Sequence, residues 1–291
     1  MNTLSLERRV AIVKALVEGN SIRATARLTG TSKTTVLKLL VELGELASVY
    51  QDHALRNLRC RQIQCDEIWS FCGAKQRQVN AGAKGAGDVW TWTAMDADSK
   101  LMVSWLVGRR DIPAARTFMA DVAKRLAHRV QLTTDGHNAY LTAVEEAFGW
   151  DGTDFAQLVK LYAGGGEASP LSGQGRYSPA ACTGTIKRHV MGDPDPSSVS
   201  TSFVERQNLT MRMGMRRFTR LTNAFSKKVA NHAHAVALHF FYYNFCRAHS
   251  TLTKAHAKHY PTTPAMAAGI AETPWTIEDI VTRLDPARLL Q

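Results

Sequence analysis

The sequence predicts an α/β fold preceded by a small all-α domain. Apolar residues recur at helical spacing in the first 46 residues, whereas segments rich in β-branched and aromatic residues alternate with helical ones further along. With 291 residues, of which 45% are hydrophobic, the chain can form one large core and one accessory domain. The predicted division is an all-α domain over 1–46, a linker over 47–61, a main domain over 62–250 and a helical or extended tail over 251–291.

Three short helices are predicted in the all-α domain, and the last two have the features of a helix-turn-helix. Ala26 supplies a small residue where the two helices touch, Gly30 lies in the turn, and Val36 anchors the second helix. The exposed side of that helix carries short or basic side chains suited to bases and phosphates, namely Lys33, Thr34, Thr35 and Lys38. These observations favour DNA binding, with a plain three-helix bundle as the alternative.

The main domain has the element order of a ribonuclease-H-like mixed sheet with flanking helices. Three strands in a meander are followed by a helix, a strand, a helix and a strand, over 62–71, 89–95, 101–107, 114–127, 130–134, 139–148 and 157–162. Glycine- and proline-rich residues 163–200 interrupt this order and indicate a partly mobile insertion. Helices are expected again from Ser202 and over 227–245.

The charge and composition of the chain indicate which kinds of partner it can bind. The chain has 36 Lys and Arg against 25 Asp and Glu, a net charge of +11, which favours a phosphate-bearing partner such as DNA. No apolar run reaches the ~18 residues of a membrane span, and the first residues lack the layout of a signal peptide. We therefore expect no membrane partner and a cytoplasmic, nucleoid-associated protein. The five cysteines include no C-x-x-C pair, which favours reduced thiols over zinc.

Two aspartates lie where a sheet collects ligands. Asp66 is in the middle of an otherwise apolar strand, where an ionised carboxylate is costly unless it is paired or bound to metal. Alternation along this strand places the neighbouring Glu67 on the opposite face. Asp135 closes the strand 130–134, at the carboxyl end where α/β sheets bind ligands. An Asp-Gly turn explains Asp135 equally well.

A third acid, Glu205, has two interpretations. Ser202 and Glu205 have the spacing of a capping box, which is a purely structural role. Against this, Glu205 is the only acid from residue 205 to residue 228, among seven basic residues. A lone carboxylate beside so many cations is typical of a metal ligand next to a phosphate-binding track. The predicted DNA contacts of this helix and the residues after it are Asn208, Arg212, Arg216, Arg217 and Arg220.

Asp66, Asp135 and Glu205 together are candidate ligands of Mg²⁺. Phosphodiester cleavage by two metal ions needs acidic side chains that converge from separate elements. Mg²⁺ prefers hard oxygen ligands and keeps several waters, so three carboxylates suffice. We expect Mn²⁺ to substitute for Mg²⁺.

Three segments resemble the transposases of the insertion-sequence-1 family. They are DEIWSF at 66–71 with Gly73 and Lys75 behind it, TDG at 134–136 followed by Tyr140, and VERQNLTMR at 204–212. The resemblance implies a ribonuclease-H-like catalytic domain with an Asp-Asp-Glu triad. The resemblance further implies that the catalytic metal ligands are Asp66, Asp135 and Glu205. It also implies that Asn208 and Arg212 support the site or contact DNA.

The chain departs from the family in two respects. Residues 136–204, 69 in all, separate Asp135 from Glu205, whereas compact members place these acids much closer together. Most of the excess lies in the segment 163–200, so its contacts are not inherited from the family. The N-terminal cysteine zinc motif of some members is absent, so zinc is not carried over.

The predicted function is that of a DNA transposase acting on the ends of an insertion sequence. It would bind the terminal inverted repeats and catalyse Mg²⁺-dependent cleavage and strand transfer. Its partner would be double-stranded DNA, both transposon ends and target, and joining two ends requires a homodimer or a larger assembly. The alternatives are a transcriptional regulator with a helix-turn-helix on a small-molecule domain, a nuclease that cuts without joining, and an inactive descendant of a transposase.

Overall fold

Strands occupy the middle of the chain, and helices lie on either side of them in sequence. The structure is a computed structural model, and it describes residues 4–79, 85–162, 182–219 and 222–284. The strands in these parts are β1 (Gln62–Cys72), β2 (Gly87–Asp96), β3 (Met102–Gly108), β4 (Gln131–Asp135), β5 (Asp154–Tyr162) and β6 (Cys182–Met191). The α-helices are α1 (Leu6–Val17), α2 (Ile22–Thr29), α3 (Lys33–Ala54), α4 (Ile112–Arg125), α5 (Ala139–Phe148), α6 (Ser202–Gly214), α7 (Val229–Phe245), α8 (Ser250–Ala255), α9 (Pro264–Ala267) and α10 (Ile277–Arg283).

The six strands form one mixed sheet in the order β3-β2-β1-β4-β5-β6. β1 pairs in parallel with β4, and β4 pairs in parallel with β5, whereas the other three pairings are antiparallel. The meander β1–β3 and the helical connections α4 and α5 are those predicted from the element order. The arrangement confirms the predicted α/β class and is consistent with a ribonuclease-H-like fold.

The two faces of the sheet are covered by different helices, as side-chain alternation requires. Trp92 of β2 is fully buried and packs its ring against Phe118 of α4 and Tyr140 of α5. The next residue, Thr93, faces the other way, and its hydroxyl lies 3.4 Å from Asn208 Oδ1 of α6. Asp66 pairs with Thr93 and Glu67 pairs with Trp92 in the β1–β2 register, so the two acids face different helical layers.

Part of the expected insertion over 163–200 is an edge strand. Residues 182–191 form β6, which pairs antiparallel with β5, with two register shifts, and so extends the sheet. Its side chains are mostly exposed, so the strand lacks the alternating apolar pattern that reveals a half-buried strand in sequence. The first half of the expected insertion, residues 163–181, lies outside the described residues.

The N-terminal helices form as predicted, but the third is longer than expected. Ser32 caps α3, with its Oγ accepting from the backbone of Thr35 at 3.1 Å, and Gly30 adopts the left-handed conformation in the turn before it. α3 continues to Ala54, so residues 47–54 are helical, in contrast to the expected linker over 47–61. The reason is tertiary: Gln51 is fully buried against α7 and donates to the backbone of Ala237 at 3.4 Å.

α3 and α7 approach each other very closely at one glycine. A Cβ atom added to Gly44 would lie 2.4 Å from the backbone oxygen of His234. The N-terminal helices therefore pack directly on the main body of the protein. The division of the chain into separate domains, and the DNA-binding role of the helix-turn-helix, stay predictions.

The C-terminal tail, expected over 251–291, is helical in part and packs on the core. The ring of Trp275 contacts the rings of Tyr50, Phe241 and Phe245, and its backbone N–H donates to Phe245 at 2.9 Å. α10 packs against α1. Within the described parts of the chain, every helix is too short or too polar to cross a membrane.

Candidate active site

Asp66 and Asp135 come together at the point where β4 ends. The parallel pairing of β1 with β4 stops at Cys65 and Thr134, so beyond that point β1 is paired with β2 and no longer with β4. Asp66 is the first residue of β1 beyond the pairing, and Asp135 is the last residue of β4. Both side chains line a cleft of about 640 Å³, which Glu205 also lines.

Asp66 is fixed by contacts from α6 and β2. Its Oδ2 accepts a hydrogen bond from Asn208 Nδ2 at 2.8 Å, and its backbone carbonyl accepts from the Thr93 hydroxyl at 2.9 Å. Two residues earlier on the same face of β1, the Gln64 side chain caps α6. Its Oε1 accepts from the backbone N–H groups of Phe203 and Val204 at 2.9 and 3.2 Å. The helix that carries Glu205 is thus docked on β1 at two points.

The two carboxylate oxygens of Asp135 make different contacts. Its Oδ1 accepts from the backbone N–H of His137 at 3.0 Å, which is the contact of an Asp turn. Its Oδ2 instead accepts from the guanidinium of Arg110 at 3.4 Å. The turn uses one oxygen, so the other remains available to a cation.

Glu67 also belongs to the acid cluster, although it lies on the opposite face of β1 from Asp66, as alternation predicts. At this point β4 no longer flanks β1. One carboxylate oxygen of each of Asp66, Glu67 and Asp135 lies within 4.8 Å of the other two. Glu67 Oε2 accepts from Arg110 Nε at 2.9 Å, so this arginine bridges Glu67 and Asp135.

The crowding of these acids disfavours their charged forms. Burial raises the pKa of Asp66 to about 6, and the neighbouring charge of Asp135 adds to the effect. Burial also raises the pKa of Glu67 to about 7, again with Asp135 as the second cause. A cation at this place would favour ionisation of both groups.

Glu205 lies in the cleft but is held by a different set of contacts. Its carboxylate accepts from Lys160 Nζ of β5 at 2.6 Å and from the hydroxyl of Thr201. Burial works against the charge of Lys160, yet its bond to Glu205 raises the pKa of Lys160 overall. The predicted capping box does not form: α6 has Thr201 as its N-cap without a side-chain cap bond, and Gln64 satisfies the helix end instead. The Glu205 side chain therefore does not cap the start of its own helix.

The predicted DNA contacts fall into three groups. Lys33, Thr34 and Lys38 are exposed on α3, and Thr35 is half-buried beside its cap residue. Arg212 and Arg216 are exposed, and Arg212 lines the cleft. α6 ends at Gly214, so Arg216 lies beyond the helix, in the short 3-10 turn Arg216–Phe218.

The remaining two described candidates point into the protein. Asn208 is buried and donates to Asp66, so the structure places it within the acid site and not on an exposed DNA-facing surface. Arg217 donates to the hydroxyl of Ser226 at 2.9 Å and to the backbone of Asn231. Arg220 lies outside the described residues.

Three residues around the acids are not assigned to the site by the sequence prediction: Glu67, Arg110 and Lys160. Arg110 follows β3 in an Arg-Arg pair, and Lys160 is a lone cation on a largely apolar strand. Both are unusual enough to notice, but their acidic partners lie 43 and 45 residues away in sequence. Local patterns do not reveal such contacts.

Comparison with known proteins gives little further information. No protein-family model matches this chain, and no curated protein matches it. Among solved structures, a Mos1 transposase paired-end complex with left transposon end is 10% identical, with a TM-score of 0.25, over 53% of this chain and 60% of that one. A Mos1 strand transfer complex is 10% identical, with a TM-score of 0.24, over 82% and 78% of the two chains. The chain thus spans about three fifths of the length of the first of these structures. Similarity at this level defines no family, so a functional assignment depends on the site itself.

Proposed function

We propose that the protein is a DNA transposase of the Asp-Asp-Glu type, similar to those of the insertion-sequence-1 family. It binds the terminal inverted repeats of an insertion sequence and catalyses Mg²⁺-dependent cleavage and strand transfer. The observation that carries this proposal is the meeting of Asp66, Asp135 and Glu205, from β1, β4 and α6, in one cleft at the end of the parallel strands. Acids brought together from separate elements are the arrangement that two-ion phosphodiester chemistry requires.

The donor set of the cleft fits a hard divalent ion. All three proposed ligands are carboxylates, and those of Asp66 and Asp135 have oxygens within 4.8 Å of each other. Burial and mutual repulsion make these acids costly in the absence of a cation. Bound Mg²⁺ would supply a Lewis acid that activates water and stabilises charge on the phosphate.

The residues around the acids have definable tasks in this reaction. Asn208 holds the orientation of Asp66, since its amide donates to one carboxylate oxygen. Lys160 lines the same cleft and donates to Glu205; if Glu205 held a divalent ion, the Lys160 ammonium would be available to pair with a backbone phosphate. Arg212 lies in the same cleft and extends the positive surface. The freed 3′-hydroxyl of DNA then acts as nucleophile, so no protein nucleophile is required.

The proposal is tested with purified protein, Mg²⁺ and DNA that carries the ends of the element. We expect nicking at the 3′ end of the inverted repeat, followed by joining of that end to target DNA. Nicking without joining would identify a nuclease instead. Tight binding of the repeat with no cleavage would identify a transcriptional regulator. Since joining two ends needs two active sites, cleavage should coincide with a dimer or a larger assembly on paired ends.

Lys160→Gln should lower the rate of DNA cleavage on the order of 10²-fold, because it removes a charge that faces the scissile phosphate. Lys160→Arg should retain most of the rate. The measurement is single-turnover cleavage of end DNA, with Lys124→Gln, an exposed lysine on α4, as the matched control. Cleavage by Lys160→Gln at the parental rate would show that this lysine serves only to pair with Glu205.

Lys33→Gln and Lys38→Gln should each weaken binding to end DNA. In a plot of the logarithm of the binding constant against the logarithm of the salt concentration, each should reduce the magnitude of the slope by about one. Both lysines are exposed on α3. Fluorescence anisotropy at several salt concentrations measures the effect, and Lys14→Gln on α1 is the control of equal charge. An unchanged slope in both variants would assign DNA recognition to another surface.

A further inference from the structure

Glu67 is a buried acid that its ion pair does not fully satisfy. Its side chain is only 1% exposed. Arg110 donates to Oε2 at 2.9 Å. The buried Tyr140 hydroxyl also interacts with the carboxylate and acts to lower the pKa of Glu67, but Oε1 has no described partner at full hydrogen-bond geometry. A buried carboxylate with one well-formed hydrogen-bond partner carries a large desolvation cost, so it calls for a functional explanation.

The surroundings of Glu67 supply the explanation. Oxygens of Asp66, Glu67 and Asp135 lie within 4.8 Å of one another. Oxygen ligands at 2.0–2.1 Å around one octahedral ion are separated by roughly 3 to 4 Å. A contraction of about 1 Å would therefore bring all three acids to bonding distance of one ion, and flexible carboxylate side chains can make that adjustment.

We propose that Glu67 is a further metal ligand, which binds a divalent ion together with Asp66 and Asp135. The nature of the ion rests on the proposed function. Glu205, which contacts Lys160 and Thr201 in the same cleft, would be available to hold a second ion. The site thus uses four carboxylates, one more than the sequence motif provides.

Arg110 contacts two of the acids that would bind the ion. Its guanidinium bridges Glu67 at 2.9 Å and Asp135 at 3.4 Å, and it lies over the ring of Trp90 with 4.9 Å between guanidinium carbon and ring centroid. The side chain is one-third exposed, so it can leave the acids without breaking the core. Because an ion and the guanidinium compete for the same oxygens, removal of Arg110 should make metal binding tighter.

The test measures Mn²⁺ binding to the full-length protein by isothermal titration calorimetry. Glu67→Gln should weaken binding at least about tenfold, and Arg110→Gln should tighten it several-fold. A second Arg–Glu pair, Arg116 with Glu146 at 2.6 Å between α4 and α5, gives matched controls. Glu146→Gln and Arg116→Gln should bind Mn²⁺ as the parent does. Tighter binding by Arg110→Gln cannot result from misfolding, which keeps the test decisive if Glu67→Gln folds poorly.

Two results would overturn the proposal, and they are distinguishable from failure of the proposed function. Parental Mn²⁺ affinity in Glu67→Gln and Arg110→Gln, together with a loss of binding in Asp135→Asn, would leave Glu67 as a structural acid and the transposase assignment intact. Parental affinity in Asp66→Asn and Asp135→Asn as well would remove the metal site altogether, and with it the proposed function.

Discussion

Asp66→Asn and Asp135→Asn should each abolish DNA cleavage, with a loss of about 10³-fold or more. Each removes a ligand from ions expected to supply several kcal/mol of transition-state stabilisation. Single-turnover cleavage of end DNA measures the loss. Asp98→Asn is the control, because Asp98 is an acid in the β2–β3 turn that pairs with Arg61. Cleavage that persists in both variants would contradict the metal assignment.

The same substitution at Asp66 should make the protein more stable, which separates loss of activity from loss of fold. Burial and Asp135 raise the pKa of Asp66 from 3.8 to about 6, so folding favours the protonated form. Stability from this group is full below pH ~4 and is lost as the pH rises to about 6. Asp66→Asn removes the penalty, so its melting temperature should exceed that of the parent by roughly 2–4 °C at pH 7. The difference should vanish near pH 4. A variant that melts lower at pH 7 would show that the carboxylate stabilises the fold.

Gly44→Val should lower the free energy of unfolding by about 3 kcal/mol or more. The added Cβ would lie 2.4 Å from the backbone oxygen of His234, and backbone cannot yield as a flexible side chain does. The gain in helix propensity over glycine is smaller than this clash. Thermal and urea unfolding measure the change.

Gly108→Ala is the control for Gly44→Val, since its added Cβ would meet its nearest atom, in Ala114, only at 3.9 Å. Its free energy of unfolding should lie within about 0.5 kcal/mol of that of the parent. If Gly44→Val unfolds like the parent, α3 does not pack on α7, and the N-terminal helices form an independent domain as the sequence first indicated.

The sequence predicts the fold well where the pattern is local. The meander β1–β3, the helices α4 and α5 and the strands β4 and β5 follow from alternating and helical apolar spacing, which a half-buried sheet and its covering helices impose. α3 was predicted too short because Gln51, a polar residue, breaks its apolar pattern. That side chain is buried only because α7 supplies backbone and side-chain partners. A prediction from neighbouring residues in the sequence cannot detect partners that lie so far along the chain.

The candidate site was predictable in part. Asp66 and Asp135 are marked by their strand positions, and the structure places them side by side. Glu67 was excluded by alternation, which is correct for the strand but does not reveal where the neighbouring β4 ends. Arg110 and Lys160 meet their acids through tertiary contacts, so a single sequence gives no indication of them.

The two-point docking of α6 on β1 has a consequence for how the chain can change. Gln64 and Asp66 hold the start of α6 and Asn208, and Lys160 of β5 contacts Glu205 directly, so the sheet itself anchors the helix that carries Glu205. The geometry of the acids therefore does not depend on the length of the chain between β5 and α6. Lengthening a loop costs only about 0.6 kcal/mol for each doubling. Extra sequence can therefore accumulate between Asp135 and Glu205, and new contacts can evolve there, while the distances within the cleft stay the same.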